Sequence, residues 1–204
     1  MTPDPDPRWF LQINGFARDT PWLHSIITAY ADYRIAVFAA LLVAGWWIAR
    51  RQGDLTVLGA AVWAPMGALA AVAINQPIVA LVAEPRPYAV LPHSLVLAQR
   101  SSDPSFPSDH AVLAGAVVAG LWRVSGRLRA VAVLAAAVIA FARVYIGAHY
   151  PHDVFVGVFL GSGLSTIGFW ATRPILLRLL QHAEDSRLLR PLLVAADTVG
   201  PSNR

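Results

Sequence analysis

Ser105-Phe106-Pro107-Ser108-Asp109-His110 and Arg143-Val144-Tyr145-Ile146-Gly147-Ala148-His149-Tyr150-Pro151-His152-Asp153 decide how this chain folds, because each sits where a long apolar run opens or closes. Pro107 and Ser108 ahead of an apolar run read as a helix start with Ser108 at the N-cap. Gly147 ends one helix and Pro151 suits the first turn of the next, which leaves His149 in a tight connection and Asp153 one turn beyond it. With Glu84-Pro85-Arg86-Pro87, these stretches put histidines, arginines and a hydroxyl at the ends of membrane-length segments. Ionisable groups are costly near lipid and need a reason to be there.

Working outward, apolar runs fill Ile35 to Ala49, Leu55 to Val82, Ser108 to about Val124, Ala130 to about Ile146 and Pro151 to Thr172. Each approaches the length that crosses ~30 Å of hydrocarbon. The third run is short, about 16 residues rising only ~24 Å, which places Ser108 and His110 near the depth of a lipid phosphate. The chain is 56% hydrophobic and 14% charged, too apolar for an ordinary soluble domain. The fold class expected is all-α: a polytopic membrane bundle of five to six spans forming a single domain over residues 1–204. Residues 1–32 form an amphipathic N-terminal segment, 33–172 the transmembrane core and 173–204 a cytoplasmic amphipathic tail. A sixth span would lie within residues 20–32. Asn75, Gln76 and Pro77 suggest a kinked, protein-facing end to the second span.

All 16 basic residues are arginines, and there is no cysteine, so disulfide and thiolate chemistry are excluded. The net charge of +4 does not indicate nucleic acid here. Basic loops that orient spans account for it. The turns at 50–54 and 123–129 and the tail from 173 carry most of the arginines, which places them in the cytoplasm and the motifs on the opposite, extracytoplasmic side. Trp46, Trp47, Trp122 and Trp170 fall at the inner edge as an aromatic belt. Gly157, Gly161 and Ser165, four apart, read as close helix packing.

The candidate chemistry is phosphate chemistry. Arginines clamp phosphate oxygens bidentately, and free amides at a helix start bind anions. A histidine attacks phosphorus or passes a proton. Asp109 suits the helix dipole but repels a bound phosphate unless arginines offset it. A carboxylate at Asp153 holds one imidazole nitrogen of His149 and leaves the other free. Plainer readings exist for each: Ser108 as a simple cap, Arg143 in an ion pair with Asp109 or Asp153, and His152 as an interfacial side chain. No histidine–carboxylate set in the sequence has the look of a metal cage, and no metal or cofactor is expected.

Taken together and in order, the three stretches resemble the signature of the type 2 phosphatidic acid phosphatase superfamily. In that signature the first motif is a lysine, six residues, then Arg-Pro; the second is Pro-Ser-Gly-His; the third is arginine, five residues, histidine, three residues, aspartate. The likeness covers about Asn75 to Val156. The third motif is matched at Arg143, His149 and Asp153, while Val79 stands where the lysine would be and Asp109 replaces the glycine. Both departures resemble the bacitracin-resistance branch of undecaprenyl-diphosphatases, as do the Glu-Pro-Arg-Pro, the Ser-Phe-Pro-Ser-Asp-His, and Asn14-Gly15 followed by Trp22 to Ile27. The resemblance implies a lipid phosphatase in the bacterial plasma membrane. Its substrate would be undecaprenyl (polyprenyl) diphosphate, its surroundings membrane lipids, and its product the recycled cell-wall carrier. It implies His149 as nucleophile, Asp153 as its orienting partner, His110 as general acid and then base, and Arg86, Arg143, Ser108 and Asp109 as the phosphate-binding residues. Two readings compete: a phosphatidate or phosphatidylglycerol-phosphate phosphatase of the same superfamily, and a non-enzymatic lipid-binding or transport protein. Polar residues at one end of the spans, rather than at mid-membrane, disfavour the second.

Overall fold

The computed structural model describes residues 5–186 and Leu193, and every element among them is helical. α1 (Pro5–Asp19) leads through a 3-10 turn (Pro21–Leu23) into α2 (His24–Gln52). α3 (Leu55–Val82), the short α4 (Pro87–Val90), α5 (Asp109–Leu121), α6 (Gly126–Tyr145) and α7 (Pro151–Asp185) follow. Runs of Ala, Leu and Val favour this outcome, since in hydrocarbon each backbone N–H and C=O must be satisfied within its own segment. Four helices are long and apolar enough to cross a membrane, and α5 is a shorter fifth. Large apolar side chains such as Leu69, Leu81, Leu134, Phe159 and Ile167 face outward, an arrangement that water disfavours and lipid accepts. The chain is a multi-pass membrane protein.

Two expected boundaries are not breaks. α2 begins at His24, so residues 24–32 belong to the first span rather than to a surface segment; only α1 stands apart. α7 runs from Pro151 through Pro174 to Asp185, so no separate tail helix starts at 173. The rest of the expected tail, beyond 186, lies outside the described residues apart from Leu193. α3 likewise continues through Pro65 and Pro77 to Val82. The stretch between α3 and α5 carries the helical turn α4.

One end of the bundle carries the arginine–tryptophan belt. Arg50 stacks on Trp46 and Trp47, Arg123 and Arg173 on Trp170, and Arg129 on Trp122, all at 4.7–5.2 Å. Asp54 caps α3 there, accepting from the Thr56 and Val57 amides. At the opposite end the motif stretches converge. What holds that end in register is the seam between α5 and α7. A Cβ at Gly115 would overlap the Val158 carbonyl, and one at Gly161 would overlap the Val112 carbonyl. At Gly157 it would lie 2.8 Å from the Ala111 Cβ and 2.9 Å from the Ser108 carbonyl oxygen. The two backbones touch because side chains are missing between them. The Ser108 amide also donates to the Asp153 carbonyl at 3.2 Å, tying the first turns of α5 and α7 together. Gly157 and Gly161 of the small-residue spacing read from the sequence form this seam together with Gly115, whereas Ser165 turns to α3, where its carbonyl accepts from the Trp63 indole at 2.9 Å.

Candidate active site

The connection between α6 and α7 is built on Gly147, whose φ of +78° is left-handed and costs glycine nothing. A side chain there would also strike the Leu95 carbonyl oxygen, 2.5 Å from the Cβ position. The Ala148 and His149 amides both donate back to the Arg143 carbonyl at 3.0 and 3.2 Å, so the turn that carries His149 is pinned to the last turn of α6. α1 braces the far side: the Asn14 side chain exchanges two 2.8 Å hydrogen bonds with the Leu95 backbone.

His149 is buried. Its Nδ1 lies 2.9 Å from the Ser105 carbonyl oxygen and 3.3 Å from Asp153 Oδ2. Both are acceptors, so Nδ1 carries the proton and Nε2 keeps its lone pair. An Arg86 guanidinium N–H donates to Nε2 at 3.3 Å. The same guanidinium donates to the Asp103 carbonyl at 2.8 Å and the Ala148 carbonyl at 3.2 Å, which fixes its plane. Burial, and then the Arg143 and Arg86 charges, hold the His149 imidazole well below the ordinary histidine range, against the opposing effect of its hydrogen bond to Ser105. The ring is therefore neutral at pH 7.

Asp153 is fully buried. Its Oδ2 accepts from the Ser105 hydroxyl in a short hydrogen bond and from the Tyr150 amide at 2.8 Å. The group nearest to the His149 N–H is thus a backbone carbonyl, and Asp153 holds the Ser105 residue that supplies it. Ser105 stood at the head of the motif stretch without an assigned role. No side-chain rule points to it, because its acceptor is main chain.

A cavity of about 380 Å³ opens in front of His149 and is lined by Gln76, Val79, Arg86, Asp109, His110 and His149 among others. The His110 and His149 rings stand 6.4 Å apart, centre to centre. His110 Nδ1, Ser108 Oγ and Arg143 Nε are buried with no hydrogen-bond partner among the described residues. Four of the seven expected site residues, His149, His110, Arg86 and Asp109, line this one cavity. Asp153 and Ser108 lie behind it and Arg143 beneath the His149 turn. Ser108 sits at the N-cap of α5, but its hydroxyl makes no cap hydrogen bond. The ion pair weighed for Arg143 with Asp109 or Asp153 does not form. Asp109 instead accepts from Asn75 at 2.7 Å and Gln76 at 3.0 Å, both on α3. Val79 puts an apolar wall where the resemblance would place a lysine.

One expectation needs correction. The sequence shows no metal-like set, yet ligand atoms of Glu84, His152 and Asp153 lie within 4.8 Å of one another. Each is distant in sequence or ordinary in context, so only folding groups them. His152 Nδ1 meets Asp6 at 2.6 Å and Nε2 meets Glu84 at 3.0 Å. Both ring nitrogens face carboxylates, which takes a proton on each and presents no lone pair to a cation. With Asp6 the cluster is a clasp joining α1, the connection after α3 and α7, and it gives His152 more than an interfacial role.

Residues 60–175 match the model of the PAP2 superfamily. The chain belongs to the PAP2 superfamily. It is 33% identical over 147 residues to undecaprenyl-diphosphatase BcrC of Bacillus subtilis, covering 71% of this chain and 72% of that protein. It is 27% identical over 164 residues to the bacitracin transport permease protein BcrC of Bacillus licheniformis, covering 79% and 77%. Among solved structures, Aquifex aeolicus LpxE shares the fold with a TM-score of 0.61 at 23% identity, covering 80% of this chain and 94% of that one. A PAP2-type phosphatidylglycerolphosphate phosphatase from Bacillus subtilis does so with a TM-score of 0.56 at 17% identity, covering 83% and 98%. This PAP2 protein is a membrane-embedded phosphoric-ester hydrolase that acts on lipid phosphates.

Proposed function

We propose that this PAP2 phosphatase removes the terminal phosphate of a polyprenyl diphosphate, with undecaprenyl diphosphate as the physiological form, at the extracytoplasmic face of a bacterial plasma membrane. The observation that carries the reading is the tautomer of His149: a buried neutral imidazole with Nδ1 committed to the Ser105 carbonyl and Nε2 turned toward Arg86 and the cavity. In the first step the Nε2 lone pair attacks the terminal phosphorus. The bond from phosphorus to the bridging oxygen breaks, its electrons leave with the lipid phosphate, and His110 supplies a proton to that oxygen. In the second step His110 takes a proton from water as the water oxygen attacks phosphorus. The N–P bond breaks, inorganic phosphate departs and Nε2 recovers its lone pair. Arg86, Arg143 and the amides at the start of α5 offset charge on the phosphoryl oxygens, where a loose transition state concentrates it. The diphosphate assignment is supported by the undecaprenyl-diphosphatase relative and by the Val79 and Asp109 departures shared with that branch.

Two measurements in detergent with a chelator present test it. Phosphate release from an isoprenyl diphosphate should exceed release from phosphatidate, and a preference for phosphatidate would overturn the substrate assignment. Brief incubation with a terminally labelled diphosphate should leave acid-labile, base-stable label on the protein that His149→Ala abolishes. Label that survives in His149→Ala would remove His149 from the nucleophile's role.

A further inference from the structure

A second cavity, about 240 Å³, lies against the first and is lined by Arg34, Ile35, Phe38, Val72, Asp109, His110 and Leu113. Asp109 and His110 line both cavities and so form the wall between them. His149 and Arg86 line only the first; Arg34 lines only the second. Phosphoryl transfer is roughly in line, so the leaving oxygen departs on the side opposite the nucleophile. With His149 on one side and His110 on the partition, the leaving group points into the second cavity.

Arg34 lies eleven residues into the first span, at half-burial. An arginine at that depth is costly unless it has a partner or a task. Among the described residues it forms no ion pair, and its one hydrogen bond runs from an NH group to the Ala31 carbonyl at 2.5 Å on its own helix. The remaining guanidinium donors suit a phosphate fork. The rest of the lining, Ile35, Phe38, Val72 and Leu113, is apolar and suits the hydrocarbon next to that phosphate.

We propose that Arg34 is the specificity residue for diphosphates: it holds the lipid-linked phosphate that leaves, while the first prenyl units lie along Ile35, Phe38, Val72 and Leu113. This rests on the polyprenyl diphosphate reading above. A substrate with one phosphate has an alcohol at the leaving position and gives Arg34 nothing to hold. Arg34 thus discriminates by an interaction one substrate has and the other lacks.

The test is the ratio of kcat/KM for farnesyl diphosphate to that for farnesyl monophosphate, in detergent, for wild type, Arg34→Gln and Arg34→Lys. Arg34→Gln should lower the ratio about 10–100-fold, the loss of a charge-assisted phosphate contact. Arg34→Lys should lower it less, since a point charge replaces a planar fork. A purely structural Arg34 would slow both substrates alike, so a ratio within twofold of wild type overturns the proposal. Should Arg34→Gln fail to fold, Arg34→Lys carries the same criterion, with any fall confined to the diphosphate supporting it and a parallel fall overturning it. Wild type that releases phosphate from neither substrate overturns the diphosphatase reading and this inference with it. An active wild type with an unmoved ratio overturns Arg34's role alone.

Discussion

The Ser105 carbonyl oxygen accepts the His149 Nδ1 proton at 2.9 Å, closer than any carboxylate oxygen comes to that ring. The tautomer that frees Nε2 is therefore set by main chain, and no side-chain substitution removes it directly. Asp153 acts one step back by holding the Ser105 hydroxyl and the Tyr150 amide. Ser105→Ala loses the hydroxyl but keeps the carbonyl, so kcat should fall only about 10-fold. His149→Ala should lose ~100-fold or far more, as removal of a nucleophile does. Kinetics of the two variants side by side decide this. A Ser105→Ala enzyme as inactive as His149→Ala would mean that the hydroxyl, not the carbonyl, is what matters.

His110 faces a leaving group whose need for a proton depends on the substrate. A departing phosphate monoester has its second pKa near ~6 and leaves readily unprotonated. An alkoxide from a monophosphate ester does not. Removing a general acid typically costs about 100–10,000-fold where the proton is needed. His110→Gln should therefore slow phosphatidate or prenyl monophosphate more than prenyl diphosphate, and label on His149 should persist because water is no longer activated. Equal slowing of both substrates, with no build-up of label, would take His110 out of the leaving-group side.

Much of this arrangement was legible in the residues, and the gaps have physical causes. Arg86, His110, His149 and Asp153 announce themselves as polar groups at the ends of apolar runs, and folding gathers them at one end of the bundle. The glycines at 157 and 161 likewise mark the α5–α7 seam, because missing side chains permit backbone contact, while Ser165 of the same spacing meets α3 instead. Arg34 escaped notice since the apolar run beside it was read from Ile35, leaving the arginine as a flank rather than a residue within α2. Ser105 could not be assigned because its contribution to His149 is a carbonyl, which every residue has. The Asp6–Glu84–His152 clasp joins two helices and the segment after α3, and sequence separation hides such groups until the tertiary fold is known.

Acid should weaken the fold through His149. Its imidazole is held well below the ordinary histidine range by burial and the neighbouring arginines, whereas in the unfolded chain it protonates near ~6.5. Above that pH both states are neutral and the group contributes no pH dependence. Below it the unfolded state binds the extra proton, so stability falls with falling pH by up to about 1.4 kcal/mol per unit from this group. Thermal unfolding in detergent should show the melting temperature of wild type dropping more steeply than that of His149→Gln between pH 7 and 5. Parallel curves for the two proteins would show that His149 takes up its proton in the folded state as readily as in the unfolded chain.

The α5–α7 seam makes the sharpest structural prediction, because two glycines of the same helix two residues apart should behave oppositely. A methyl at Gly161 would run into the Val112 carbonyl of α5, whereas at Gly163 nothing lies within 4 Å. Backbone cannot rotate aside as a side chain can, so Gly161→Ala forces the helices apart. Overpacking of this kind costs roughly 1–3 kcal/mol, and relieving it moves the first turn of α5 relative to α7. That displacement separates His110 from His149, so Gly161→Ala should lower both the melting temperature and kcat, the latter by 10-fold or more, since a 1 Å misplacement near a reacting centre costs about 100-fold. Gly163→Ala should leave activity intact and raise stability by up to about 1 kcal/mol through helix propensity. Melting curves and phosphate release for both variants, measured in the same detergent, separate the two effects. A Gly161→Ala protein that melts and turns over like wild type would show that the seam has room to spare and does not fix the distance between the two histidines.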